Sequence, residues 1–246
     1  MTNYKLTIQY VGTRYDGWQR QGNTDNTIQG KLETLLSRLF GFSVEIIGSG
    51  RTDAGAHAYG QVANFHVPVD LPTQEILEYM NQYLPKDIAV SKVEKVDERF
   101  HSRFNVKRKT YQYRIWNSYI SNVFEKNFVY EVTDALDVDR MKEAALYLIG
   151  EHDFKAFCSN KRMKKSTVRT IYEINIEELE PEIRITITGN GFLYNMVRII
   201  VGTLLEIGMG EKKPSDVPAM LAGKDRRTTG YTVPPSGLML MEVEYK

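Results

Sequence analysis

The chain has 246 residues, 42% hydrophobic and 26% charged, enough to build one or two cores of roughly 100–150 residues each. Thirty-two basic against 31 acidic residues leave a net charge of +1, and the single cysteine, Cys158, excludes a disulfide framework and offers no zinc-ligand spacing. The first residues lack the apolar run of a signal peptide, and no stretch approaches the roughly 18 apolar residues of a membrane span. The expectation is a cytoplasmic protein that needs no membrane and no metal.

Residues 4–10 set Leu6, Ile8 and Tyr10 against Lys5, Thr7 and Gln9, the period of a half-buried strand. Ile28, Leu32, Leu35, Leu36 and Leu39 recur at helical spacing, which predicts a core-facing helix over 27–40 with Asn26 as its cap and Gly41 as its stop. A strand over 43–47 leads into a glycine-rich turn over 48–55, followed by a strand over 61–67 with Ala63, Phe65 and Val67 on one face. Helix is predicted over 72–84 and strand over 88–96. Residues 100–109 read as a crossover. Beyond it come a strand over 110–116, a helix over 139–149, strands over 169–179 and 182–188, helices over 196–207 and 214–221, and a closing strand over 238–245. Strands in pairs with intervening helices argue for an α+β fold with a mostly antiparallel sheet. The division falls into an N-terminal half, 1–105, and a C-terminal half, 106–246.

The small net charge hides two acid-free basic blocks. Residues 99–114 carry Arg99, Arg103, Lys107, Arg108, Lys109 and Arg114 interleaved with Phe100, Phe104, Tyr111 and Tyr113, and residues 155–171 carry Lys155, Lys161, Arg162, Lys164, Lys165 and Arg169. A single charge run is usually a solvated face. Two such blocks with aromatics favour a groove that tracks phosphates.

The sharpest segment is Gly48-Ser49-Gly50-Arg51-Thr52-Asp53-Ala54-Gly55-Ala56-His57. Its glycines allow tight turns and close approach of a ligand. A dinucleotide loop needs glycine where Asp53 stands, and a P-loop needs Gly-Lys-Ser/Thr, so neither nucleotide motif fits. Two readings of Asp53 stand on the residues alone: a carboxylate held by Arg51 and aimed at a sugar or base, or an aspartate that caps a turn. Arg198, inside an otherwise apolar helix, is hard to bury unpaired and is expected to reach Asp53 or RNA. His57, His66, His101, His152 and Cys158 form no ligand set at metal spacing.

Gly50 to Ala58 closely resembles the catalytic motif of the tRNA pseudouridine synthase A family. Further landmarks agree in order: Tyr10 to Gln19, Thr27 to Gly30, Lys109 to Arg114, Gly150 to Phe154, Phe192 to Arg198, and Pro234 to Leu238. Ala56 stands where that family usually has valine, and 230–233 is less typical of it. The resemblance implies two ferredoxin-like halves sharing one large mixed, mostly antiparallel sheet, with an active-site cleft between them, and a homodimer across which tRNA lies. It also implies isomerisation of uridine to pseudouridine at positions 38, 39 and 40 of the anticodon stem-loop, without a cofactor. Asp53 would be the essential carboxylate and Arg51 would fill the gap left by the flipped base. Tyr111 would stack on the uracil and assist proton transfer at C5. Arg198 and Leu238 would contact the substrate, Leu238 from beneath the base, while Lys161, Arg162, Lys164 and Lys165 meet phosphates. The rival readings are a module that grips structured RNA without modifying it, a phosphate-loop hydrolase, and a synthase of the same family acting on another RNA.

Overall fold

The computed structural model describes residues 1–160 and 162–245, and among them the fold is α+β with ten strands and five α-helices. The chain forms two compact units, Met1–Lys107 with Met239–Lys246, and Arg108–Leu238.

In the first unit, β1 (Thr2–Tyr10) buries Tyr4, Leu6, Ile8 and Tyr10, the face that the alternation predicted. It pairs antiparallel with both β3 (His57–Val67) and β4 (Ile88–Val96), while the short β2 (Ile47–Gly48) pairs with β3. The strand order β4-β1-β3-β2, with α1 (Ile28–Phe40) and α2 (Thr73–Tyr83) in the connections, is that of a ferredoxin-like layer. Ile28, Leu32, Leu35 and Leu36 of α1 are buried, and Gly41 ends the helix in the left-handed conformation at φ +78°. The cap differs from the predicted one. Thr27, not Asn26, accepts from Gly30 N at 3.2 Å, and Asn26 donates instead to the Arg14 carbonyl. The predicted strand over 43–47 is also mostly lost. Val44 N donates to Ser37 Oγ and Ile46 N to Glu33 Oε1, so side chains of α1 satisfy amides that a neighbouring strand would otherwise take.

The last strand, β10 (Leu238–Glu244), returns to this unit, whereas the sequence division left all of 106–246 in the second half. The reason is pairing. Met239 and Leu240 run parallel to His57 and Ala58 of β3, Lys107 N donates to Glu244 O, and the Tyr245 ring packs on Phe100 at 4.9 Å.

In the second unit, β5 (Arg108–Asn117), β9 (Glu182–Gly189) and β8 (Val168–Leu179) form an antiparallel run. Two short strands absent from the sequence reading extend it: β6 (Tyr130–Val132), parallel to β5, and β7 (Gly150–Asp153), antiparallel to β8. Three helices complete the unit, α3 (Val138–Leu146), α4 (Met196–Gly208) and α5 (Val217–Gly223), the last preceded by a 3-10 turn, Pro214–Asp216. Helix α4 is buried along nearly its whole length. Its Gly202 lies so close to the 230–231 backbone that an added Cβ would sit 2.0 Å from Tyr231 O.

Candidate functional site

The glycine-rich loop of the first unit is held from below by buried polar side chains. Ser49 N donates to Val62 O, Ser49 Oγ to Gln61 Oε1 at 2.7 Å, and Gln61 Nε2 to Gly50 O at 3.1 Å. Thr52 shares a 2.8 Å hydrogen bond with the Tyr10 hydroxyl, and its carbonyl accepts from Trp18 N. Burial pushes the Tyr10 phenol up to about 12, so it is a neutral hydroxyl partner at physiological pH. Asp53 is half-buried between these anchors, its carbonyl accepting from Ala56 N, and Gly55 turns the chain at φ +82°.

Small residues let the surrounding backbone close on this loop. A Cβ on Gly12 would lie 1.9 Å from Ala56 O, and one on Gly17 would meet Thr52 O at 2.8 Å. The amide of Gly12 donates to His57 Nδ1 at 3.0 Å. His57 Nδ1 is therefore held by backbone. Arg51, expected to clamp Asp53, is exposed, and its Nε donates to Gln19 Oε1 at 3.1 Å. Gln19 is in turn held by Gln29, which bonds Glu33 and the Ile46 carbonyl. The guanidinium is thus held at its Nε by a glutamine that is itself braced.

In the second unit, Tyr111 lies on β5 opposite Ile187, buried, with its ring edge-on to Phe192 at 5.2 Å and 85°. The segment beginning at Phe192 leads to Asn195, a non-glycine residue in the left-handed region at φ +61°, and then into the first turn of α4. Asn195 gathers its surroundings: Oδ1 accepts from Arg198 Nη1 at 3.2 Å, and Nδ2 donates to Ser159 Oγ at 3.0 Å. Arg198 Nε donates to Val233 O at 2.7 Å. Tyr113 OH donates to the next carbonyl, that of Pro234, and burial pushes this phenol far above its ordinary range. Leu238 comes after the 3-10 turn Pro235–Gly237 and is buried. Tyr111, Arg198, Leu238 and the start of the basic segment therefore sit on connected elements of one unit. Arg162, Lys164 and Lys165 are exposed; Lys161 lies outside the described residues. Among the described residues no group of three or more His, Cys, Asp or Glu side chains is arranged for a metal ion, and no helix is long and apolar enough to cross a membrane.

A family model described as tRNA pseudouridine synthase matches residues 6–105 and 144–246. The chain belongs to the tRNA pseudouridine synthase family. Among its relatives are "tRNA pseudouridine synthase A" of Bacillus sp. (strain KSM-64), 50% identical over 245 residues, "tRNA pseudouridine synthase A 2" of Bacillus anthracis, 49% identical, and "tRNA pseudouridine synthase A 1" of Clostridium tetani, 47% identical. Each alignment covers 100% of both chains. Within this synthase family match lie Asp53, Arg51, Arg198, Leu238 and the segment 161–165; Tyr111 falls between the two matched stretches, which the full-length relatives span.

Several residues that position these side chains were not singled out in the sequence reading as site residues. Gln19, Gln61 and Asn195 act through other residues, so only the motifs that contain Gln19 and Asn195 gave a signal. Gln61 gave none, because a glutamine in a strand reads as surface until its burial is seen.

Proposed function

We propose that this chain isomerises uridine to pseudouridine in tRNA, at positions 38, 39 and 40 of the anticodon stem-loop, with Asp53 as the essential carboxylate. The N1–C1′ bond breaks, the base turns, C5 bonds to C1′, and the C5 proton is lost while N1 gains one. The change is redox-neutral and uses no cofactor. The observation that carries the reading is the Asp53 loop of a pseudouridine synthase family member: a half-buried carboxylate on a backbone fixed by Ser49, Thr52 and Gln61. Such a group is pre-positioned to act as nucleophile or base on a ribose or uracil brought to it.

The other roles belong to the same proposal. Arg51, exposed and braced by Gln19, occupies the space that the extruded base vacates. Tyr111 stacks on the uracil and handles the C5 proton, Arg198 supplies a guanidinium to the RNA, and Leu238 packs under the base. The segment carrying Lys161, Arg162, Lys164 and Lys165 meets phosphates, adding affinity without sequence preference. A homodimer in the cytoplasm completes the reading, and sedimentation of the purified protein checks the dimer.

Incubation with anticodon stem-loop RNA tritiated at uracil C5 tests the function. Release of one tritium per modified uridine is the expected result. Retention of RNA without release would make the chain a binder, and release from another RNA but not from this stem-loop would move the substrate within the family.

A further inference from the structure

We propose that the turn from His101 to Asn105 is a second RNA-contact site, on which the exposed ring of Phe104 stacks against an unpaired nucleobase while Arg99, Arg103 and Lys107 meet the flanking phosphates. The inference rests on the reading of this chain as a tRNA-modifying enzyme and adds a contact in the first unit, at a turn whose base bonds the Ile47 carbonyl just before the Asp53 loop.

Phe104 is 76% exposed, an unusual position for a phenylalanine in so ordered a turn. The turn is built, not slack. Ser102 at its base is buried: its amide donates to Asn64 Oδ1 at 2.9 Å, its hydroxyl to Ile47 O, and its carbonyl accepts from Tyr245 OH at 2.7 Å. Above it, His101 N donates to Asn105 Oδ1 at 2.7 Å and Asn105 N to His101 O at 3.0 Å. The amides of Arg103 and Phe104 both donate to His101 Nδ1, at 3.1 and 3.3 Å, which assigns the imidazole proton to Nε2. The same imidazole lies against the Phe104 ring, with centroids 4.1 Å apart and planes 31° from parallel. One face of Phe104 is therefore backed by His101, and the ring is held outward before any ligand arrives.

Residues 99–107 hold no acidic side chain. Arg99, Arg103 and Lys107 are exposed on the same short stretch. Of the two acids just before it, Asp97 Oδ1 accepts from Arg99 N, and Glu98 pairs with the N-terminal ammonium at 3.2 Å. An aromatic face bordered by cations fits a nucleobase with its two phosphates. Pre-ordering lowers the conformational cost of that contact.

The test measures tRNA dissociation constants over a salt series, together with pseudouridine formation, for wild type and for Phe104→Ala, Phe104→Trp and Arg103→Gln. Phe104→Ala should weaken binding and raise KM by roughly 5- to 100-fold with kcat and the salt slope unchanged, since stacking releases no counterion. Phe104→Trp should restore affinity, and Arg103→Gln should make the log–log slope shallower by about 0.7 to 0.9. Wild-type affinity in Phe104→Ala overturns the proposal. So does a change in oligomeric state at unchanged RNA affinity, which would make the turn a protein interface. Wild-type protein that binds tRNA yet forms no pseudouridine would sink the enzymatic reading while leaving the affinity comparison to decide this one.

Discussion

The Asp53 loop and the basic segment around Arg162 are both glycine- or lysine-rich surface loops in sequence, yet they are built in opposite ways. The first is tied from beneath by Tyr10, Ser49 and Gln61, with Gly12 and Gly17 letting neighbouring backbone close to van der Waals distance. The second leaves Arg162, Lys164 and Lys165 exposed, with Asn160 Oδ1 accepting from the Arg162 amide and Ser159 tied to Asn195 at its edge. The difference follows from what each does in the proposed reaction. A reacting carboxylate loses rate if it moves by about 1 Å, whereas Coulombic attraction to phosphate changes slowly with distance and tolerates movement.

If that contrast is right, a large effect should come from disturbing the backbone packed against the first loop. Gly12→Ala places a Cβ against the Ala56 carbonyl, so backbone must shift beside Asp53. We expect turnover to fall by about 100-fold and stability by about 2 kcal/mol. The control is Gly22→Ala, where nothing lies within 4 Å of an added Cβ, and it should stay within about 0.5 kcal/mol of wild type. Thermal melts and single-turnover assays of both variants check the pair.

Tyr111 sharpens the comparison on the second unit. Tyr111→Phe keeps the ring against Phe192 and should still bind RNA but release little product, whereas Tyr111→Leu removes stacking as well and should lose roughly ten- to hundredfold more. Wild-type turnover by the leucine variant would exclude this residue from the reaction. Changing Arg162, Lys164 and Lys165 together to glutamine should leave kcat intact and flatten the salt dependence of tRNA binding by about 2 to 3 in log–log slope. An unchanged slope would make them ordinary surface.

The smallest effect on activity is expected at Glu182, far in role from either loop. Arg114 donates to it through Nε and Nη2 at 2.7 and 2.9 Å, Arg184 adds another bond, and the carboxyl is held down at about 2. A depressed carboxyl adds stability above its unfolded value near 4.3 and loses it as pH falls through the folded value. Wild type should therefore lose about 2–3 kcal/mol between roughly pH 5 and pH 2 that Glu182→Gln has already lost at pH 7. Equal melting temperatures of the two at pH 7 would refute this.

Legibility in the sequence tracked how local the determining forces were. The alternation in β1 and the apolar stripe of α1 were readable because burial follows period directly, as Leu6, Ile8, Leu32 and Leu36 show. The stretch 43–47 misled because its amides are taken by Ser37 and Glu33, side chains whose rotamers no period encodes. The strands β6 and β7 are three and four residues long and exist through long-range pairing alone. The return of β10 to the first unit is likewise a pairing choice. At the site, Asp53 and Arg51 were legible as a motif. Their supports were not, since Gln19, Gln61 and Asn195 act through geometry that appears only once the chain is folded.

The central claim is that Asp53 supplies chemistry and not merely a turn. The decisive measurement compares tritium release and tRNA affinity for wild type, Asp53→Asn and Asp53→Glu under single-turnover conditions. Asparagine keeps the shape and removes the charge, while glutamate keeps the charge and displaces it by one methylene. Both variants should bind tRNA within a few-fold of wild type, with release in Asp53→Asn below detection and in Asp53→Glu reduced by about 100-fold or more. Release by Asp53→Asn at more than a few per cent of the wild-type rate would contradict the account.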